Sequence, residues 1–227
     1  MDGKKLIVLA VILVLSLGVY VTEATAGVSP LSACGSVGTG SYELTQNIST
    51  TGTCFTLTGD DITIDLNGFT IDGDDSGNDF GISDGGARQN IVIRNGTIRD
   101  FQVAIDLDQS DGCKVEWILA FSNTESGIRV GDDCNVSHNI ANLNSQRGIT
   151  HGSSCDISYN IANNNAVGID IFALTMGSNI IYNTANGNIS IGIDAGCPSN
   201  LVGNTAQNNG TNLNQIGAGC KRYNNLF

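Results

Sequence analysis

Positive charge is scarce in this chain: ten Lys and Arg stand against 22 Asp and Glu in 227 residues, a net charge of −12 at pH 7. A surface of that sign repels phosphate backbones and anionic headgroups, which argues against nucleic-acid or membrane-surface binding. Cations, or neutral polar ligands such as sugars, fit it better. Charged residues of either sign make up only 14% of the chain, against roughly a quarter in an average globular protein. Proline occurs twice, so collagen and Pro-rich linkers are out. Yet 41% of the residues are hydrophobic, enough apolar material for a core and too much for a disordered chain. Glycine (29) and asparagine (26) fill the gap left by charge.

The one long apolar run lies at the start. Lys4 and Lys5 precede an apolar stretch over 6–21, followed by Ala24-Thr25-Ala26, the pattern of a secretory signal cut after Ala26. Residues 1–26 are therefore expected to be removed, leaving no stable membrane span and a single domain that is secreted, periplasmic or on the cell surface. Seven cysteines would ordinarily announce a disulfide framework in such a chain, but Cys113, Cys134 and Cys155 recur every 21 residues and Cys197 follows 42 later. Periodic spacing of this kind is a repeat signal. Cys34 and Cys54 lie outside that region and flank a short loop, so they are expected to be bridged, with Cys197 and Cys220 as a second candidate pair.

Aligned on the cysteines, 134–142 (CNVSHNIAN) matches 155–163 (CDISYNIAN) directly. A second element places Gly or Ala before Ile at Ile82, Ile105, Ile128, Ile149, Ile169 and Ile193, in steps of 23, 23, 21, 20 and 24 residues. Segments such as Ile62-Thr63-Ile64-Asp65-Leu66 alternate apolar and polar, which is strand periodicity. Neither the Leu ladder nor the helical segment of a leucine-rich repeat is present. Short strands with Asn and Gly at the corners predict an all-β, single-stranded parallel β-helix of about 22 residues per coil and roughly eight coils. The expected divisions are an N-terminal cap with first strands over 27–60, coils over 61–211 and a C-terminal cap over 212–227.

The stretch 90–98 (NIVIRNGTI), the Gly-Ile elements and the Asn-x-Ala-Asn corners resemble right-handed parallel β-helix proteins of the pectin-lyase-like superfamily, particularly the NosD-type repeat proteins. Right-handedness is implied by that resemblance. Function is not, because the superfamily holds lyases, hydrolases, epimerases, adhesins and non-catalytic carriers. Copper, which the NosD likeness would suggest, lacks ligands here, with two His and two Met in the chain.

In a stacked solenoid, residues one period apart become vertical neighbours, so each column is one chemical feature. Cys113, Cys134, Cys155 and Cys197, in phase with Met176, read as an inward thiol and thioether stack. Asn139, Asn160, Asn183 and Asn204 form a second column, and Asn142, Asn163 and Asn186 a third; both read as structural amide ladders. Trp117, His138, Tyr159 and Tyr182 form an aromatic column. Outward, it would be a carbohydrate-binding strip; alternation from Val136 turns His138 inward and favours a buried stack.

Sixteen of the 22 acidic residues fall between Asp60 and Asp133. Among them Asp72, Asp74, Ser76 and Asn78 follow the opening of an EF-hand loop, with Ser83 at its closing position and Asp84 one residue on, so calcium is the one metal the sequence suggests. No cofactor is otherwise required. Asp106 and Arg129 share the column after the Gly-Ile elements, and with Asp108, Asp132 and Asp133 they could form an acid and base cluster for a lyase or hydrolase. Ser110-Asp111-Gly112, Gly131-Asp132-Asp133 and His151-Gly152 resemble a reduced polygalacturonase site, but no Arg or Lys occurs between Arg147 and Lys221 to supply its cationic pair. The reading adopted is a non-catalytic module that engages extracellular or cell-surface polysaccharide. A polysaccharide-active enzyme is the alternative. A surface adhesin or fibre element, in which terminal coils pair with another copy to give a homo-oligomer, is the third.

Overall fold

A computed structural model describes residues 27–171 and 177–227. The expected signal segment and Met176 lie outside the described residues. Every strand pairing is parallel, and the strands divide into a nine-stranded and a 13-stranded sheet whose neighbours are successive turns of the chain. The fold is a β-solenoid of three faces.

The first face is the nine-stranded sheet. It runs through Val103–Leu107, Ser126–Val130, Arg147–His151 and Val167–Ile171. The second face stacks Ile62–Asp65, the start of Ile91–Arg99, Asn135–Ser137, Asp156–Ser158 and Asn179–Ile181. The third is narrower, built from Thr70–Asp72, residues 97–99 and 119–121, and Ile140–Asn142. Single bridges continue it through Ile161, Thr184, Thr205 and Leu226. Residues of 27–60 already pair as rungs, Gly35–Val37 against Phe55–Leu57, and 212–227 extends the ladder through Lys221–Tyr223. The nine strands of the first face give about nine turns, one more than the repeat count suggested.

Period-two alternation explains the core. The second face turns Ile64, Ile93, Val115, Val136, Ile157, Ile180 and Leu201 inward in one register. The first face contributes the six isoleucines of the Gly-Ile element, and the third contributes Ile71, Ile98 and a run of alanines; all are buried. The glycine of that element answers a close approach. A Cβ at Gly148 would stand 2.6 Å from the Gly168 carbonyl oxygen and 2.8 Å from Asn165 Nδ2, contacts that would push the next coil away.

Cys34 and Cys54 are bridged, as are Cys197 and Cys220. The interior column of Cys113, Cys134 and Cys155 forms as expected, and its three thiols are free and buried. Its continuation differs from expectation: Ser178, Ser199 and Cys220 occupy the next positions, and Cys197 is not in the column. The coil between Cys155 and Ser178 is 23 residues long, so a strict 21-residue count lands two residues early at Met176, and the same offset misplaces Cys197. Its neighbour Cys113 and burial push the Cys134 thiol well above its usual range; Cys134 and burial do the same for Cys155. Both are poor nucleophiles.

Candidate functional site

At the corner between the second and third faces, the backbone turns through the left-handed region in eight successive coils, from Asn67 onward. Asn67, Asn95, Trp117, His138, Tyr159, Tyr182 and Asn224 have φ of 50–60°, and Gly203 has 65°. Asn and Gly tolerate that conformation; aromatic residues rarely adopt it. The turn breaks the alternation of the preceding strand, so the residue at each aromatic corner points out and the one after it, Ile118, Asn139, Asn160 or Asn183, points in. The expected buried aromatic stack is thus corrected: Trp117 is 56% exposed, Tyr159 52% and Tyr182 50%, and His138 is exposed with them.

The four rings lie on one another. Centroid separations are 4.4 Å from Trp117 to His138, 5.1 Å from His138 to Tyr159 and 5.3 Å from Tyr159 to Tyr182, all stacked. Stacking uses the inner ring faces and leaves edges along the corner. Tyr182 is covered below, since a Cβ at Gly203 would meet its ring. Above Trp117 no ring stacks among the described residues, and an open groove of about 270 Å³ begins there, lined by Gly68, Gly96, Thr97, Trp117, Leu119 and Ile140. The glycines one and two turns before Trp117 supply the space.

This groove runs onto the outward side of the third face. Thr97, Leu119, Ile140 and Ile161 stack in one column, with Ile140 and Ile161 exposed. Beside it run Arg99, Phe121, Asn142 and Asn163. Arg99 stands 5.9 Å from the Phe121 ring and pairs with Asp72 and Asp100. From Leu119 onward both columns are uncharged. Leu143, 59% exposed and also left-handed, borders the far side.

Three amide ladders run along the solenoid, and they differ in what they leave free. In the interior, Asn160 Oδ1 accepts from the backbone N–H and Nδ2 of Asn139, while its Nδ2 donates to the Val136 carbonyl and to Asn183 Oδ1. Asn123, Asn144, Asn165, Asn188 and Asn209 form an equivalent ladder at the next corner; their spacing of 21 and 23 residues is the sequence signal that marks it. The outward ladder is different. Asn142 Oδ1 accepts the Asn163 N–H, Asn163 Oδ1 the Asn186 N–H, and Asn186 Oδ1 the Gln207 N–H. Among the described residues their Nδ2 groups have no hydrogen-bond partner.

The acidic cluster is only partly assembled. Arg129 holds both carboxylate oxygens of Asp106, at 3.0 and 2.8 Å, and reaches Glu125 at 3.1 Å. Asp106 is 7% exposed, so both lone-pair sets are committed to a closed pair. Asp108 lies alongside, its carboxyl raised by burial and by Asp106, against the opposing pull of Arg129. Asp132 and Asp133 sit at the turn past Arg129, where Asp132 caps the Ser153 N–H at 2.6 Å and Asp133 is in left-handed backbone. His151, expected beside them, is fully buried, with Nδ1 2.7 Å from the Gly152 carbonyl and the Cys155 thiol near its ring; it takes an inward position between Val130 and Ile171 and cannot meet a solvent-borne substrate.

The calcium ligand set is not brought together either. Asp74 bonds Ser76, and Asp72 pairs with Arg99. Asp84 lies past the far end of Phe80–Ser83 from that turn and is buried, accepting from the Gln109 N–H and the Ser110 hydroxyl. Among the described residues no group of three or more His, Cys, Asp or Glu is arranged to hold a metal ion.

The family model described as "Right handed beta helix region" matches residues 43–185. The chain belongs to that right-handed β-helix family. The expected fold and handedness are thereby borne out. This β-helix is also similar to a solved structure, the A-module of Azotobacter vinelandii mannuronan C-5 epimerase AlgE6, at 13% identity over 88% of each chain and a TM-score of 0.34. A likeness that distant says nothing of what this β-helix does. No curated protein matches it. Among the described residues no helix is long and apolar enough to cross a membrane.

Proposed function

We propose that this β-helix is an extracellular or cell-surface polysaccharide-binding module, and that it binds through the groove above Trp117 and the adjoining third face. One observation carries the reading: four consecutive coils place an aromatic residue in exposed, left-handed backbone where the coils on either side use Asn or Gly. Each such residue costs about 1–2 kcal/mol. Mutual stacking returns about 0.5–1.5 kcal/mol per pair, so stability alone gives little reason to replace Asn. An aromatic face over an apolar groove suits the CH surface of a pyranose. Two disulfides fit an oxidising, extracytoplasmic setting.

Trp117 is the sole tryptophan, so its emission reports directly on the groove. Retention of the chain on an immobilised polysaccharide, a shift of Trp117 emission with soluble fragments of it, and loss of retention in Trp117→Ala are the expected results. Unchanged retention in Trp117→Ala, or none across a broad panel, would sink the reading.

Asp108 favours a second reading, catalysis on polysaccharide from the first face. A partly buried carboxyl held above its usual range beside an ion pair is the kind of group used as a general acid. Release of reducing ends that disappears in Asp108→Asn would establish it.

A further inference from the structure

The outward amide ladder narrows the ligand class. Interior asparagines exhaust their carboxamides, whereas Asn142, Asn163 and Asn186 each spend only the oxygen, on a backbone N–H of the following coil. Pinning the oxygen orients the amide and leaves the two N–H bonds of each Nδ2 unused among the described residues, at half-buried positions. The result is a row of preoriented donors one coil apart, about 4.8 Å, next to the apolar column of Leu119, Ile140 and Ile161. No charged side chain belongs to either column from Leu119 onward, although the chain as a whole carries −12.

From this we infer that the ligand is a neutral, extended glycan of several hexose units, lying parallel to the solenoid axis with one unit per coil. Its hydroxyl oxygens accept from Nδ2 of Asn142, Asn163 and Asn186, its CH faces cover Leu119, Ile140 and Ile161, and its end unit rests on the free face of Trp117. The donor spacing is close to the advance of one hexose along an extended β-linked chain. A uronate polymer would bring a carboxylate to every coil of an acidic protein, with no cation on this face past Arg99 to receive it. The inference rests on the polysaccharide-binding reading above and specifies its ligand.

The test titrates the full chain with cellohexaose and mannohexaose, and with a hexamer of galacturonate, reading Trp117 emission and heat. A neutral hexamer should bind, and the anionic one at least tenfold more weakly. The double variant Asn142→Asp/Asn186→Asp keeps an oxygen for each backbone N–H, removes two donors and separates the new charges by two coils; it should bind the neutral hexamer about tenfold more weakly and melt near the parent temperature. Should that variant fail to fold, Ile140→Ser on the exposed strip should weaken binding severalfold. Preference for the galacturonate hexamer overturns the inference and leaves the binding reading standing. So does undiminished neutral binding in these variants while Trp117→Ala abolishes it. Absence of binding by every hexamer and every polysaccharide overturns both.

Discussion

Replacing Asn160 by alanine should cost far more than the same change at Asn163, although the two residues are three apart and both sit in ladders. Asn160 makes four side-chain hydrogen bonds, all buried: two received from Asn139 at 2.9 and 3.0 Å, one given to Val136 at 2.8 Å and one to Asn183 at 3.0 Å. At about 1 kcal/mol net for each bond, Asn160→Ala loses about 4 kcal/mol, and more if the buried Asn139 N–H finds no water. Asn163 loses one bond, to the Asn186 N–H at 2.7 Å, at a half-buried site open to water, so Asn163→Ala should cost about 1 kcal/mol. For a chain of this length 1 kcal/mol corresponds to about 2–4 °C in Tm. The expected drops are therefore about 8–16 °C for Asn160→Ala and about 2–4 °C for Asn163→Ala, measured by circular dichroism at constant scan rate and checked by urea unfolding. Equal and small drops would refute the argument, since they would mean that interior amide ladders contribute no more than surface ones. A large drop at Asn163 would refute it from the other side and remove the distinction on which the ligand inference depends.

Two further outcomes follow from the first face. Arg129→Met strands the Asp106 carboxylate, 7% exposed, and should destabilise by about 3–5 kcal/mol in urea unfolding, with most of the loss recovered in Asp106→Leu/Arg129→Met; a single-variant loss under about 1 kcal/mol would show that the pair is effectively solvated. Asp108, raised above its ordinary value of 3.8 by burial and then by Asp106, stabilises fully only when protonated, below that ordinary value, and the contribution is lost as pH rises through its folded value. Asp108→Asn should accordingly melt higher than the parent at neutral pH, with the difference closing once the pH falls below about 3.8; a difference that persists unchanged into acid would rule out ionisation as its cause.

Much of the fold was legible because a solenoid converts sequence period directly into spatial contact. The steps of the Gly-Ile element became a hydrogen-bonded column, Asp106 and Arg129 became rung neighbours, and Asn139, Asn160 and Asn183 stacked, each from counting alone. Counting failed where a coil changed length: the two extra residues before Ser178 put Ser178 and Ser199 in the thiol column and left Cys197 out of it. It failed too for residues on either side of a strand, as with Asp84 and the Asp72–Asn78 turn, because proximity in sequence is not proximity across an extended segment that rises about 3.3 Å per residue.

The candidate site divides along the same line. Composition and period determined a parallel β-helix with an aromatic column and two asparagine columns, since side-chain identity at fixed spacing is all those features need. Which way each column faces was decided by tertiary structure alone. Alternation predicted His138 inside; the left-handed backbone at 60° turned it and its three neighbours to solvent. Identical residues at identical spacing became a sealed interior ladder at Asn160 and an open row of donors at Asn163, because one carboxamide is surrounded by backbone groups and the other has backbone on one side and water on the other.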